Sequence, residues 1–353
     1  MKVSRSHASV IRKAIDHWTQ AGMIDAKVAA ALTADTEISK FDWKRLAKYS
    51  FWIAIVCIVI SISALFADQA LLKLLSGILN APYIVKFIGL ACLSALIYWF
   101  AFRRRRDHPA KVFSNEAILF IAVLTTADAV YELGRVMDSG NGHFSILLLL
   151  SFAIYALIAY FFESNLVWLF ALLSFGSWMG AETGYESGWG AYWLGMNYPL
   201  RFVAFGGILT AAALLLQNHR RLMPFFATTL AMGLLYLFIA LWIVSIFGNY
   251  GDMNSWEGVK QAQLLPWSIL FGLAAVAAIV HGLGFDNAMT KGFGLTFLFI
   301  NLYTRFFEYF WDSLHKAIFF GILALSFWLL GSQAERIWHL GERKETASTA
   351  DGT

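Results

Sequence analysis

Charge and cysteine are both scarce in this chain: Asp, Glu, Lys and Arg make up 14% of its residues, and Cys57 and Cys92 are its two thiols. Two cysteines inside apolar runs build neither a disulfide framework nor a zinc site, and both read as small core residues. His143 and His281 have no second His or Cys at ligand spacing, so neither a metal nor a cofactor is expected. GxSxG, HExxH and Walker-type loops are all missing, and the scattered Ser, Asp and His residues make no triad by spacing. An enzymatic role therefore has no motif behind it. The net charge of +4 comes without a basic face interleaved with aromatics, which argues against nucleic acid as a partner. There is no fixed-period repeat or low-complexity tract. The chain opens on about 45 polar and amphipathic residues, where a removable signal peptide would show a short basic stretch and an apolar core.

What the chain has is apolar length. With 59% apolar residues and a mean hydropathy of +0.62, a soluble domain would expose far too much greasy surface. The bilayer must serve as solvent, and because lipid cannot satisfy backbone N–H and C=O groups, each span must be a helix or part of a closed barrel. Barrel strands alternate apolar and polar residues, and these runs do not. The expected fold is all-α, a polytopic transmembrane helix bundle of about ten spans, near residues 49–66, 83–102, 117–137, 144–162, 166–180, 201–217, 223–247, 264–280, 293–310 and 317–331. The fifth, sixth, ninth and tenth are short for a crossing and are candidates for tilted or re-entrant segments.

Basic residues set the orientation. With ten spans and the N-terminus inside, 20 of the 27 Lys and Arg fall in the inner loops and termini, which puts both termini in the cytoplasm. Arg103, Arg104, Arg105 and Arg106 follow an apolar run directly and read as a headgroup anchor. Residues 1–45 are expected to form a cytoplasmic amphipathic helical hairpin. Val10, Ile11, Ala14, Ile15 and Trp18 repeat at helical spacing, Gly22 is the stop, and Asp25 caps a second helix that buries Val28 and Leu32. The hairpin lies against the membrane face or meets a cytoplasmic partner. Residues 46–331 form the transmembrane domain, and 332–353 a cytoplasmic polar tail.

Two polar stripes interrupt the apolar spans. Asp128, Glu132 and Arg135 lie at spacings of four and three in the third span, within one arc of the helix. A lone charge at the bilayer centre costs about 2.5–3.5 kcal/mol to insert, so the stripe is expected to face protein or water. Asn301, Arg305, Glu308 and Asp312 repeat the pattern in the ninth span, with a buried start and an interfacial end. Contacts of Arg305 with Asp128 or Glu132, and of Glu308 with Arg135, would balance charge between the two stripes. A third cluster follows the fifth span: Trp178, Glu182, Glu186, Trp189 and Trp193, with Tyr185, Tyr192, Tyr198 and Arg201. Flat aromatic faces beside carboxylates suit a sugar, a lipid headgroup or a cationic small molecule, although the aromatic belt of a multi-pass protein accounts for them more simply. Gly176, Gly180, Gly184 and Gly188 recur every fourth residue here, either for close helix packing or to break the helix at a turn.

Trp18, Gly22 and Ile24 in a short N-terminal helical segment, and the stretch Arg305 to Asp312 leading into Phe319, Phe320 and Gly321, give the chain a pattern that resembles a group of bacterial predicted membrane proteins with a domain of unknown function. The resemblance implies a bacterial inner-membrane location and one helical membrane domain, and brings no catalytic residues with it. From the residues themselves, the expected role is that of a transporter or permease-like protein handling a small or lipid-linked solute through an outward-facing polar cavity, with Asp128, Glu132, Arg135, Arg305 and Glu308 as binding candidates. The alternative is a noncatalytic envelope sensor or membrane assembly factor. Membrane lipids are partners in either case.

Overall fold

The computed structural model describes residues 80–137, 143–217 and 219–338, together with 2–3, 11–12, 14–15, 17–19, 21–35, 37–38 and positions 49, 53, 56, 57, 60 and 61. The first expected span and the polar tail beyond Trp338 lie largely outside these residues. The chain divides into two compact units, Met1–Ala122 and Val123–Thr353, each taken by itself below. Among the described residues it is helical apart from a two-residue parallel pairing of Lys2–Val3 with Glu37–Ile38 and a single bridge between Trp193 and Met196. Among the described residues, seven helices are long and apolar enough to cross a membrane.

In the first unit, helical positions from Ile11 to Thr19 end where Gly22 takes a φ of +69°, a left-handed turn that glycine makes without a Cβ penalty. Asp25 then caps α1 (Ala26–Asp35), its Oδ1 accepting from the Val28 N–H at 2.8 Å. Val28 and Leu32, expected to be buried, are exposed instead. The long α2 (Tyr83–Asp107) buries only Ser94 and Ala101. That leaves most of its circumference for lipid, and Cys92, expected in a core, is exposed for the same reason, as is Cys57. The arginine run at its end makes contacts within the unit. Arg104 donates to Ser114 Oγ at 2.9 Å and Arg105 pairs with Glu116 at 3.6 Å, tying α2 to the start of α3 (Val112–Met137).

The second unit is built from antiparallel helix pairs: α4 (Ser145–Phe162) with α5 (Asn165–Glu186), α6 (Tyr198–Leu216) with α7 (Phe226–Phe247), and α9 (Gln261–Gly284) with α10 (Ala288–Phe310). A five-residue α8 (Met253–Glu257) precedes α9, and α11 (Lys316–Trp338) follows α10. The starts are set by side-chain caps: Ser164, Asn197, Asp252 and Asn287 each accept from a backbone N–H three residues on. The segments expected to be short are full-length helices, of 22 residues for α5, 19 for α6 and 23 each for α10 and α11. Their polar ends lower the local hydropathy without ending the helix.

In lipid, apolar contact between helices gains little over contact with acyl chains, so close packing depends on small residues. The α6–α7 seam shows this directly. A Cβ on Gly206 would lie 2.3 Å from the Leu237 nitrogen, and one on Gly233 would lie 2.7 Å from the Thr210 nitrogen. Beside that seam, Phe238 of α7 stacks on Phe297 of α10 at 5.0 Å, with Phe271 of α9 closing the cluster. The glycine stripe of α5 packs rather than breaks. Gly176 faces Tyr236, Gly180 faces Phe202 and Gly184 faces Tyr198, while Gly188 falls past the helix end at a φ of +57°.

Candidate functional site

The polar clusters of the second unit gather at the end where α5 and α7 finish and where α4, α6 and α9 begin. There the 187–197 and 248–258 loops are sewn together. Asn197 Nδ2 donates to the carbonyls of Gly248 at 2.9 Å and Tyr250 at 3.1 Å, and the Asn197 N–H donates to Asn249 Oδ1 at 2.9 Å. Asn249 Nδ2 returns to the Gly195 carbonyl at 2.9 Å, and the Tyr192 hydroxyl donates to the Asn249 carbonyl at 3.1 Å.

Arg201, expected as a binding residue of this loop, is 0% exposed. Its guanidinium donates to the carbonyls of Met196 at 3.1 Å, Thr183 at 3.1 Å and Ala191 at 3.2 Å, and lies over the Tyr198 ring at 4.2 Å. It staples the loop to the carbonyl end of α5, where the helix dipole favours a cation, and has no face left for a ligand. Trp193 is held by a backbone bridge to Met196, and Trp178 stacks on Phe175 at 5.4 Å. Glu186 and Trp189 remain exposed.

Glu182 is different. Its Oε2 accepts from the buried Ser145 hydroxyl and lies 3.2 Å from His143 Nε2. The His143 ring packs on Tyr185 at 4.3 Å, Tyr185 packs on Trp189 at 5.3 Å, and the Tyr185 hydroxyl accepts from the Phe144 N–H at 3.3 Å. Ser145, Glu182 and His143 do not make a nucleophile triad: the carboxylate stands between the other two, and the hydroxyl is fully buried and donates to the carboxylate. They make a carboxylate–imidazole pair at the surface, with His143 half-exposed.

Directly below lies an apolar groove of about 440 Å³ between α3, α4 and α5. Ala127, Val130 and Gly134 of α3 face Leu147, Leu148 and Ser151 of α4 across it. The Tyr155 hydroxyl closes the deep end by donating to the Val123 carbonyl at 3.1 Å. At the mouth, Arg135 and Phe144 both line the groove, and Arg135 donates to the Tyr131 hydroxyl at 2.9 Å. From Ala127 to Arg135 the helix rises about 12 Å. The groove is thus a mostly apolar slot with a cation lining one end.

The two charged stripes do not meet. Within the first, Glu132 is buried while Asp128 and Arg135 are exposed. In α10, Arg305 closes on Glu308 of its own helix at 2.8 Å and donates to the Ser245 carbonyl at 2.9 Å, so its acidic partner is neither Asp128 nor Glu132, and that of Glu308 is not Arg135. The i, i+3 spacing makes the local pair the easier one, since it needs no second helix to be positioned. One turn earlier, Asn301 exchanges two hydrogen bonds with Ser268 of α9, Oγ to Oδ1 at 3.0 Å and Nδ2 to carbonyl at 2.9 Å. That stripe is buried at Asn301 and exposed at Asp312, and it serves to pack α10.

Sequence reasoning reached Glu182 and Arg135 but not His143 or Ser145 as their company. The signal available was slight: a histidine and a serine at the very start of an otherwise apolar span. Among the described residues, no group of three or more His, Cys, Asp or Glu side chains stands at metal-binding distance. No protein-family model, curated protein or solved structure matches the chain.

Proposed function

We propose that this protein binds a lipid-linked or phosphate-bearing amphiphile and handles it as a permease-like carrier, the hydrocarbon chain lying in the α3–α4–α5 groove and the headgroup at Arg135. The observation that carries this reading is the groove itself: mostly apolar, within the size range of ligand sites, and lined at one end by a guanidinium suited to phosphate oxygens. A slot this long and apolar has no use for a small hydrophilic solute. The expected balance of Asp128 or Glu132 by Arg305 does not enter this reading, because Arg305 is committed to Glu308.

The proposal includes about ten spans, with α10 counted among them and the first near residues 49–66, in the inner membrane of a bacterium. The Arg220, Arg221 and Lys291 end faces the cytoplasm, as the excess of basic residues in alternate loops favours. The aromatic end, with the groove mouth, then faces outward. The N-terminal segment lies on the cytoplasmic surface as a helical hairpin.

Photolabelling tests the reading. A phosphatidylglycerol carrying a diazirine near the end of one acyl chain, in bilayers holding the full chain, is expected to label the peptide of Leu147 to Tyr155. Labelling spread evenly over lipid-facing helices such as α2 would overturn it.

A further inference from the structure

We infer that one face of α2 is a binding site for an anionic phospholipid, with Arg103 and Arg106 on the phosphate and Trp99, Leu96, Cys92 and Ile88 along one acyl chain. The site belongs to the first unit and is separate from the groove.

The argument starts from where each arginine of the run points. With 3.6 residues per turn, Ile88, Cys92, Leu96, Trp99, Arg103 and Arg106 fall within an arc of about 80°, and all six are exposed. Ser94 and Ala101, the buried residues of α2, lie on the opposite side, and Arg104 and Arg105 lie there with them. The run therefore divides in two. Arg104 and Arg105 are engaged by Ser114 and Glu116 of α3. Arg103 and Arg106 stand on the outer face, where the Arg103 guanidinium covers the exposed Trp99 ring at 4.3 Å. A general headgroup anchor would use all four alike.

The outer face has the layout of a lipid. From Ile88 to Trp99 the helix rises about 16 Å, close to half of a hydrocarbon core of about 30 Å, which is the depth one acyl chain fills. The stripe ends at a tryptophan, the side chain suited to the headgroup level, and two guanidiniums follow within two turns. Guanidinium takes phosphate oxygens through charge-assisted hydrogen bonds, and two of them side by side disfavour a headgroup that brings its own ammonium. The neighbouring exposed charges, Asp107 and Lys111, offset each other. Charge also argues against a second copy on this face: a two-fold axis along the membrane normal would set Arg103 and Arg106 against their own counterparts.

The test reads the lipid beside α2 directly. Both cysteines are exposed, so Cys57→Ser leaves Cys92, on the stripe itself, as the one thiol of the full chain. A small fluorophore on Cys92 is quenched by lipids brominated in the acyl chain, and brominated phosphatidylglycerol is compared with brominated phosphatidylcholine in otherwise matched bilayers. Phosphatidylglycerol is expected to be preferred by about twentyfold, taking the roughly fivefold that each basic side chain gives at an anionic membrane surface. Arg103→Gln or Arg106→Gln should each lower the preference about fivefold. Arg104→Gln and Arg105→Gln should keep it while lowering the melting temperature, because each removes a tie between α2 and α3. Equal quenching by the two lipids with all four arginines present overturns the site. An equal loss of preference in all four variants also overturns it, as the mark of a diffuse positive field. Quenching by neither lipid, with disulfide-linked dimers through Cys92, overturns it in favour of a second copy. The label reports on α2 alone, so the groove reading stands or falls separately.

Discussion

Asn197 and Asn249 hold each other's loops: the backbone N–H of the first donates to the side-chain oxygen of the second, whose side-chain nitrogen reaches the Gly195 carbonyl two residues before the first, both at 2.9 Å. Asn197 at the same time caps α6 and satisfies the carbonyls of Gly248 and Tyr250. One side chain thus serves a helix start and two loops.

Replacing Asn197 with Ala removes a cap of about 1 kcal/mol and strands two carbonyls, at about 1–3 kcal/mol each where water cannot reach them. The expected result is a lower melting temperature in detergent and faster proteolysis within the 187–197 and 248–258 loops. Asn249→Ala, which is more exposed, should do the same to a lesser degree. Unchanged proteolysis in Asn197→Ala would show that the two loops are not tied through this residue.

Close approach at α6–α7 separates two neighbouring glycines. Gly206→Ala puts a Cβ against the Leu237 backbone, whereas Gly207→Ala meets nothing within 4 Å. Overpacking of this kind costs about 1–3 kcal/mol. Thermal unfolding should fall by several degrees for Gly206→Ala and hold or rise slightly for Gly207→Ala, and equal effects would contradict the seam.

The Arg305–Glu308 pair is expected to behave as a packed structural pair. Glu308→Gln leaves a largely buried guanidinium short of its counter-charge, at about 3 kcal/mol, while the double change Arg305→Met with Glu308→Met recovers most of that loss. Thermal melts of the three variants check this. If the double variant binds amphiphile no differently from wild type, the pair has no part in the site.

Asp252 gives a pH dependence of known sign. Outside the spans, its carboxylate accepts the Ser255 N–H at the start of α8, and that bond holds its pKa below the ordinary aspartate value. A group depressed in the folded state adds stability above its unfolded pKa and loses it as pH falls through the folded value. Lowering pH from 7 to 5 should therefore leave α8 intact, with its loosening confined below the usual aspartate range near about 3.9. Hydrogen exchange at Ser255, measured against Asp252→Asn, is the check. A loss of protection between pH 7 and 5 would require a folded-state pKa above the ordinary aspartate value and would contradict this.

The helices were legible and their ends were not, for the same reason. Long apolar runs announce α2 to α7, but Glu182 and Glu186 dilute the last turns of α5, and Thr290 and Lys291 the first turn of α10, so both read shorter than they are. Caps such as Ser164 and Asn287 mark the true starts. The candidate site was legible only one helix at a time. Glu182 stood out as a carboxylate among aromatics, but Ser145 is 37 residues away on another helix, and no spacing rule connects them. Arg201 was conspicuous as a cation at a span's edge, yet a guanidinium aimed at two carbonyls of the preceding loop and one of α5 looks in sequence the same as one aimed at a ligand. The opposite error arose at Asp128, where helical periodicity fixes which residues share a face but not which face turns inward.

The account's core is that an amphiphile's chain occupies the α3–α4–α5 groove. Ser151 lines that groove, and its hydroxyl bonds back to the Leu147 carbonyl of its own helix, so Ser151→Leu fills the slot with little cost to the fold. Native mass spectrometry of the purified full chain, wild type against Ser151→Leu at matched helicity and melting temperature, is the direct measurement. A lipid adduct carried by the wild type and lost from Ser151→Leu is the expected result. The same adduct retained in equal amount by both would contradict the account.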